Sequence, residues 1–416
     1  MKKSDIIIAG GGAAGLMAAL FAATYVPEGT KITVLEHKDS AGKKLLATGN
    51  GRCNFTNDVI DGMSYRGNDS SFAYKIIGQY NKEWLLQTMR DIGIVHTSVN
   101  GYYYPRSLQA RTVTDCIISK LNIYGVDIIC GANVSGVKKT KTGYRVLCDN
   151  DIYECTKLIM AMGGCTYSKL GSDGSGYAIL KNLGHTVTAL FPALTGLKAR
   201  GLDFKHCYGV RAKGSLTVYA DGDKIAWTDG EIQFTEYGIS GIPVFQISRY
   251  ASSAVIGKRK VTIAIDLVTE YTYNELVRIL RDIADSNPYK TVIELLNGLI
   301  PQKLAGAILG AVKIRPDREA GSFSEKELYR IAEIVKNLTI DITGDCGFDK
   351  AQVTAGGIAT GEVNADTMES KLCMGLYIAG ELLDIDGSCG GYNLHFAFAT
   401  GAAAGMNAAL EVQKQC

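Results

Sequence analysis

Proline is scarce in this chain: seven residues in 416, against forty-eight glycines. Disordered segments usually carry both, so glycine without proline speaks for ordered turns and close backbone approach rather than flexible linkers. No run of about eighteen apolar residues occurs, so no membrane span is expected. Charge of either sign is not in excess either. The 44 basic and 42 acidic residues leave a formal net charge of +2, which provides no global field for nucleic acid or an anionic membrane. No two of the eleven cysteines form a C-x-x-C pair, which argues against zinc ribbons and thioredoxin-like redox pairs, and no ligand set for a metal is visible. A secretory leader is not expected, because the apolar run after Lys3 is cut short at Gly10; a cytoplasmic location with reduced, mostly core cysteines follows.

A chain of this length suggests two or three domains. Residues 5–9 (Asp-Ile-Ile-Ile-Ala) form a short β-branched run suited to a buried parallel strand. Gly10 to Gly12 follow at once, then a small-residue helix, then a second apolar strand, Lys31 to Leu35, closed by Glu36. Further α/β signals are a helix at 111–121, a strand at 126–130, a hairpin of 144–148 with 152–155 turning at Asp149-Asn150-Asp151, a strand at 158–162 and a helix at 174–184. From Thr195 to Asp266 the runs 214–220, 224–227, 232–235 and 261–267 read as an antiparallel sheet or small barrel. From Tyr273 to Val312 the pattern is helical, and Ser324-x-x-Glu327 makes a capping box before another helical run. Glycine-rich α/β texture returns after about residue 345. The expected domains are therefore 1–190 with 345–416, 191–268 with 313–344, and a helical insertion at 269–312.

Gly10-x-Gly12-x-x-Gly15 lies between a strand and a helix, and Glu36 ends the next strand. In such a turn Gly10 permits the tight bend, Gly12 lets backbone N–H groups approach a pyrophosphate, and Gly15 lets helix and strand pack closely. Glu36 would accept hydrogen bonds from adenosine ribose hydroxyls and repel a 2′-phosphate. This context predicts a dinucleotide site but does not choose between FAD and NAD. Two later segments favour FAD. Gly375 to Glu381 is a buried strand ending in Gly380-Glu381, a carboxylate suited to ribityl hydroxyls. Gly387-Ser-Cys-Gly-Gly391-Tyr-Asn393 then opens a small-residue helix whose N-terminus suits the flavin C2 carbonyl.

Thr48-Gly-Asn-Gly-Arg52-Cys53-Asn54-Phe-Thr-Asn57 resembles the G-R-C-N-x-T-N signature of a bacterial family of NAD(P)/FAD-dependent oxidoreductases with BaiN-like and aminoacetone-oxidase-like branches. The resemblance extends through GYYYPRS (Gly101 to Ser107), Ala161-Met162-Gly163-Gly164, Gly184-His185-Thr186 and the closing GE…GGYNL segment. It implies an α/β fold: a Rossmann-type (two-dinucleotide-binding, FAD) domain interrupted by an antiparallel β-barrel domain and a small helical domain. It also implies that Gly10, Gly12, Ala13, Ala14, Gly15, Glu36, His37 and Val134 hold the ADP half of FAD. Lys43, Gly51, Arg52, Cys53 and Asn54 would line the loop past the flavin, Ala161, Met162 and Gly163 would pack near the dinucleotide, and Gly380, Glu381, Gly391, Tyr392, Asn393 and Leu394 would hold the ribityl chain and ring. Two departures stand out: His395 and Phe396 occupy places where many relatives carry Gln and Trp, and Met162 replaces the commoner Thr.

A flavin performs the electron transfer itself, so catalytic side chains are hard to read from sequence. Tyr392 is a proton donor or a wall of the site, and His395 a proton source near neutral pH or a structural residue. Cys53 and Cys389 are redox-active or packing residues. Tyr102-Tyr103-Tyr104 lines an apolar pocket or is a strand face. No second fingerprint for NADH or NADPH appears, so that donor would bind transiently. The leading expectation is a reductase of an activated C=C bond in a small hydrophobic substrate such as an unsaturated 3-oxo steroid or bile acid. The alternatives are an amine oxidase producing hydrogen peroxide, a nucleic-acid-modifying flavoprotein, which the near-neutral charge disfavours, and a non-catalytic FAD-binding protein. The oligomeric state is not fixed by the sequence.

Overall fold

A computed structural model of the chain describes residues 2–149 and 151–414. It divides into two units, Met1–Leu190 with Gln352–Cys416, and Phe191–Ala351. The return to the first unit thus comes at 352 rather than 345.

In the first unit five parallel strands make the central sheet: β1 (Ile6–Ala9), β2 (Ile32–Glu36), β3 (Asp127–Cys130), β4 (Lys157–Met160) and β5 (Leu376–Ile378), in the order β5-β4-β1-β2-β3. Ile7 pairs with Thr33 on one side and Leu158 on the other. Every residue of β1 is buried, which is why its sequence is a continuous apolar run rather than an alternation. Helix α1 (Ala13–Tyr25) opens directly after β1, and α2 (Tyr392–Gln413) ends the described chain. The two helices meet along small residues. A Cβ on Gly401 would come within 2.2 Å of the Ala14 carbonyl oxygen, and one on Gly405 within 2.1 Å of that of Ala18. Only glycine permits that approach. An antiparallel hairpin, Tyr144–Cys148 with Asp151–Cys155, lies where it was expected; Asn150 of its turn is outside the described residues.

The second unit contains six strands in the order Leu197–Arg200, Gly238–Ser240, Asp223–Thr235, Arg211–Ala220, Val261–Asp266 and Leu338–Asp345, and the last pairs with the first to close a barrel. All neighbours are antiparallel. Residues 224–227 and 232–235, expected as two strands, belong to one. The Thr228-Asp229-Gly230 stretch resembles a turn, yet Gly214 pairs with Gly230 across the ladder. Helix Ile242–Ile256, read from sequence as part of an all-β stretch, starts with Pro243 in its first turn, a favoured place for proline. The helical layer also extends further than expected. Helix Glu325–Lys336, with Ser324 and Glu327 forming its capping box, follows helices Tyr273–Ser286, Val292–Asn297 and Gln302–Ala311. Most of 313–344 is therefore not barrel. Among the described residues no helix is long and apolar enough to cross a membrane.

The α1–α2 contact generates a direct test. Gly405→Ala should cost about 1–3 kcal/mol through overpacking. Gly78→Ala, in helix Ser71–Gln79 with no heavy atom within 4 Å of its added carbon, should be neutral or stabilising by up to about 1 kcal/mol. Denaturant midpoints of the two variants check this, and equal midpoints would contradict the close-packed reading.

Candidate active site

The glycine turn between β1 and α1 has the constraints its sequence implies. Gly10 has φ of +100°, and its added Cβ would lie 2.5 Å from the Ala161 carbonyl oxygen; at Gly15 the added carbon would lie 1.8 Å from the Gly10 carbonyl oxygen. Gly12 is different: nothing lies within 4 Å of its added carbon, and no side chain caps α1. The open side of Gly12 and the uncapped helix start are together a cradle for an anionic group. Ala13 is half-buried and Ala14 is buried in the helix contact. Glu36 is buried, with Oε2 accepting from the Gly11 N–H (2.8 Å) and Oε1 from the Lys38 N–H (2.8 Å). His37 follows it, and Gly171 packs against the imidazole. The N–H groups of Gly131 and Ala132 donate to the carbonyls of Lys38 and Glu36, bringing the segment leading to Val134 beside the same strand end.

A second cluster gathers around Glu381. The Gly380 N–H donates to Thr400 Oγ1 of α2 (3.0 Å), and its added Cβ would fall 2.8 Å from Ala14 Cβ. Glu381 Oε2 accepts from Lys44 Nζ (2.7 Å), and Oε1 accepts from the Thr354 N–H (2.8 Å) and Thr166 Oγ1 (3.2 Å). Lys44 is the lysine at this cluster, whereas Lys43, expected on the loop past the flavin, pairs with Asp39 (2.5 Å). Glu381 is also not a free acceptor, since its carboxylate already holds three donors. Ala161, Met162 and Gly163 follow β4 and run beside Gly10; Gly163 has φ of +77° and packs against Ser172, while Met162 packs against Gly176.

The signature loop and the start of α2 form the third part. Gly49, Asn50, Gly51 and Cys53 all have left-handed backbone, with φ of 56°, 54°, 81° and 58°. Such strain at Cys53 costs about 1–3 kcal/mol and clusters at functional sites. The Cys53 thiol is fully buried and burial pushes it up to about 12, which favours the neutral thiol and a packing role. Arg52 is exposed. Gly391 has φ of +95°, and its added Cβ would come within 2.7 Å of Asn54 Oδ1 and 2.8 Å of the Thr56 nitrogen. The start of α2 therefore sits on Asn54 to Thr56. Asn54 Oδ1 is buried with no hydrogen-bond partner, which marks a site built around another group. Leu394 is half-buried in the first turn. The Asn393 side chain closes the preceding turn, accepting from the Gly387 N–H (2.7 Å) and donating to the Gly387 carbonyl (2.9 Å).

Both sequence-level candidates for proton donor are already engaged. The Tyr392 hydroxyl donates to the Val59 carbonyl (2.7 Å). His395 is fully buried, with Nε2 on the Tyr80 carbonyl (2.8 Å) and Nδ1 on Thr56 Oγ1 (2.9 Å). A carbonyl only accepts, so Nε2 carries the proton and Nδ1 accepts from Thr56. Burial pulls the imidazole down to about 4, leaving it neutral and structural, a brace between loop 53–57 and α2. A Ser370–His185–Glu362 relay (2.9 Å and 2.9 Å) also exists. Ser370 and His185 are buried, however, and Ser370 Oγ accepts from the Leu372 and Cys373 N–H groups, so it braces loops. None of the ten cysteines among the described residues is in a disulfide, and no metal-ligand cluster occurs among those residues.

The strand Tyr102–Pro105 splits its tyrosines between two faces. Tyr103 donates to Asp58 (2.9 Å) and lies under Lys82. Tyr102 and Tyr104 point the other way, toward Gly390 and Gly49, the two loops just described. Sequence reasoning left this alternation unassigned although its period of two was visible.

These residues fit a dinucleotide flavin: an open glycine cradle, an acidic strand end, a lysine–glutamate cluster and an uncapped helix start beside an unpartnered amide oxygen. Comparisons point the same way. Residues 4–407 match the family model described as "HI0933-like protein Rossmann domain". The chain is 39% identical over 409 residues to a 3-dehydro-bile acid delta(4,6)-reductase of Clostridium scindens, covering 98% of this chain and 99% of that one. It is 26% identical over 413 residues to a ribosomal RNA dihydrouridine synthase of Haemophilus influenzae, covering 98% of each. The fold is similar to that of 3-ketosteroid-delta4-(5alpha)-dehydrogenase from Rhodococcus jostii RHA1 in complex with 4-androstene-3,17-dione, at a TM-score of 0.50 and 14% identity, with 98% and 97% of the chains covered.

The neutral His395 predicts a pH dependence of stability. Its folded pKa of about 4 lies below the ordinary 6.5, so its contribution is complete above pH 6.5 and is lost as pH falls toward 4. By about pH 5 the loss is about 2 kcal/mol. His395→Gln, which can keep a donor and an acceptor without titrating, should flatten this part of the curve in denaturant titrations. An unchanged slope would sink the assignment.

Proposed function

Because the chain belongs to the HI0933-like Rossmann family, we propose that this FAD-dependent oxidoreductase is a reductase of a C=C bond conjugated to a carbonyl, acting on a small hydrophobic substrate of the unsaturated 3-oxo steroid or bile-acid class. The observation that carries the substrate class is the near-complete coverage at 39% identity to the bile acid reductase. Bound FAD supplies hydride transfer from its N5; the side chains bind, orient and exclude water. Gly10, Gly12, Ala13, Ala14 and Gly15 hold the pyrophosphate on the start of α1. Glu36, His37 and Val134 take the adenosine end. Lys44 places a cation beside Glu381, which it holds in place for the ribityl region. Arg52, Asn54 and Gly391 to Leu394 surround the ring, with the Asn54 amide as the hydrogen-bonding group and Cys53 packed behind. Tyr102 and Tyr104 form an aromatic wall suited to a flat apolar substrate. NADH or NADPH is the donor we assign; with no second glycine fingerprint it binds transiently, and the reaction belongs in the cytoplasm.

A second reading has its own support. Dihydrouridine is uridine reduced at a C=C bond that is likewise conjugated to a carbonyl, and the chain is 26% identical to a ribosomal RNA dihydrouridine synthase. The chemistry is shared; the near-neutral charge weighs toward the small substrate. Anaerobic reduction of the flavoprotein by NADH or NADPH, followed by reoxidation with a 3-oxo-4-ene steroid, tests the reading. Bleaching of the flavin band and its recovery on adding the steroid support it. Hydrogen peroxide formed from small amines in air would instead favour an amine oxidase.

The cofactor assignment yields a paired prediction. Lys44→Met should weaken FAD retention by about tenfold or more, since a partly buried carboxylate loses its cation. Lys43→Met, which removes an exposed pair, should change it less than about twofold. Flavin content after gel filtration reads both, and equal effects would place the lysine wrongly.

A further inference from the structure

We propose that Tyr104 is the acid of the reductive step, giving its phenolic proton to the carbon α to the carbonyl while the Arg52 guanidinium holds the resulting phenolate. This rests on the reductase reading above. Hydride addition to the β-carbon of a conjugated C=C bond leaves charge on the α-carbon and carbonyl, and a positioned acid must neutralise it. The other hydroxyls and the imidazole near the start of α2 are committed. Tyr392 donates to Val59 and Tyr65 to the Tyr392 carbonyl. Tyr177 donates to the Glu381 carbonyl and Tyr103 to Asp58. His395 is enclosed between Tyr80 and Thr56.

Tyr102 and Tyr104 differ: among the described residues neither hydroxyl has a hydrogen-bond partner, and both are only partly buried. They stand on the strand face turned toward Gly390 and Gly49, which border the expected flavin ring. Burial raises the Tyr104 hydroxyl above its ordinary value, and the nearby exposed Arg52 charge opposes part of that rise, which distinguishes Tyr104 from Tyr102; Tyr102 and Cys389 are its other titratable neighbours. For Tyr102, burial and Cys389 act together to raise the hydroxyl, with no cation opposing them. The balance is complete. The C=C π bond opens, the β-carbon gains the hydride from reduced flavin, the α-carbon gains the Tyr104 proton, and water reprotonates the phenolate because the ring is partly exposed.

The test separates this from the reading it rests on. FAD-loaded wild type, Tyr104→Phe and Tyr102→Phe are reduced anaerobically and then mixed with a 3-oxo-4-ene steroid. Tyr104→Phe should retain FAD and be reduced at the wild-type rate, yet be reoxidised by the steroid about a hundredfold more slowly, with its dependence on steroid concentration little changed. Tyr102→Phe should alter mainly that concentration dependence. A wild type that no enone reoxidises overturns the substrate reading itself. A wild type that turns over beside a Tyr104→Phe within about threefold of it overturns only the acid assignment. Should Tyr104→Phe lose its flavin, fluorotyrosine incorporated site-specifically at position 104 leaves a more acidic phenol there alone. The alkaline fall-off of steroid reoxidation should then move to lower pH, and an unmoved fall-off would overturn the proposal.

Discussion

The first unit depends on the contact between its first and last long helices. Gly401 and Gly405 lie so close to the carbonyls of Ala14 and Ala18 that no side chain fits between them. This contact joins chain segments almost four hundred residues apart and sets where α2 begins. Once Gly391 is fixed, the helix start must meet Asn54 to Thr56. Thr400 of the same helix draws in the Gly380 N–H, so the Glu381 cluster comes to rest beside the glycine turn. The site is thus assembled by backbone proximity first and by side-chain chemistry second. That order explains the high glycine content: at these positions the missing side chain is the functional feature.

Polar groups then stabilise an arrangement that backbone packing has already drawn together. His395 ties the signature loop to α2 as a neutral ring, and its enclosure costs nothing in unpaired charge because it never ionises at neutral pH. Lys44 and Glu381 neutralise each other at the partly buried edge. The Asn54 oxygen is one of several buried polar atoms without a hydrogen-bond partner, and it lies against the start of α2, where a bound group would satisfy it.

Much of this was legible in the sequence, and the misses have physical causes. The β1–turn–α1 signal worked because each glycine answers a separate steric demand. The Glu36 position was readable because an acid ending the second strand has one place to go. Lys43 and Lys44 could not be separated by type alone; adjacent helical residues point about 100° apart, and only the Asp39 partner told them apart. His395 was open between proton source and structural residue because its type titrates near neutrality; complete enclosure favours the structural role. In the second unit, Thr228-Asp229-Gly230 carries turn chemistry but continues a ladder, since pairing with Gly214 overrides local preference. Helix Ile242–Ile256 was hidden because its β-branched and serine content resembles a strand.

Charge placement bears on which conjugated double bond this site serves. An RNA substrate brings a phosphate at each nucleotide, and binding it requires lysines and arginines that are free to meet those charges. Here many basic side chains already have carboxylate partners: Lys2 with Asp151, Lys75 with Asp366, Arg145 with Glu154, Arg211 with Glu231 and Arg259 with Asp221. The face beside the signature loop instead presents the rings of Tyr102 and Tyr104 together with the exposed guanidinium of Arg52. Two aromatic faces and one cation recognise a flat apolar skeleton bearing one polar end, by stacking along its length and by charge at its carbonyl or carboxylate. A nucleotide would need the same stacking together with several further cations along the chain. Aromatic faces beside a cation therefore suit the small apolar substrate proposed above better than a run of phosphates.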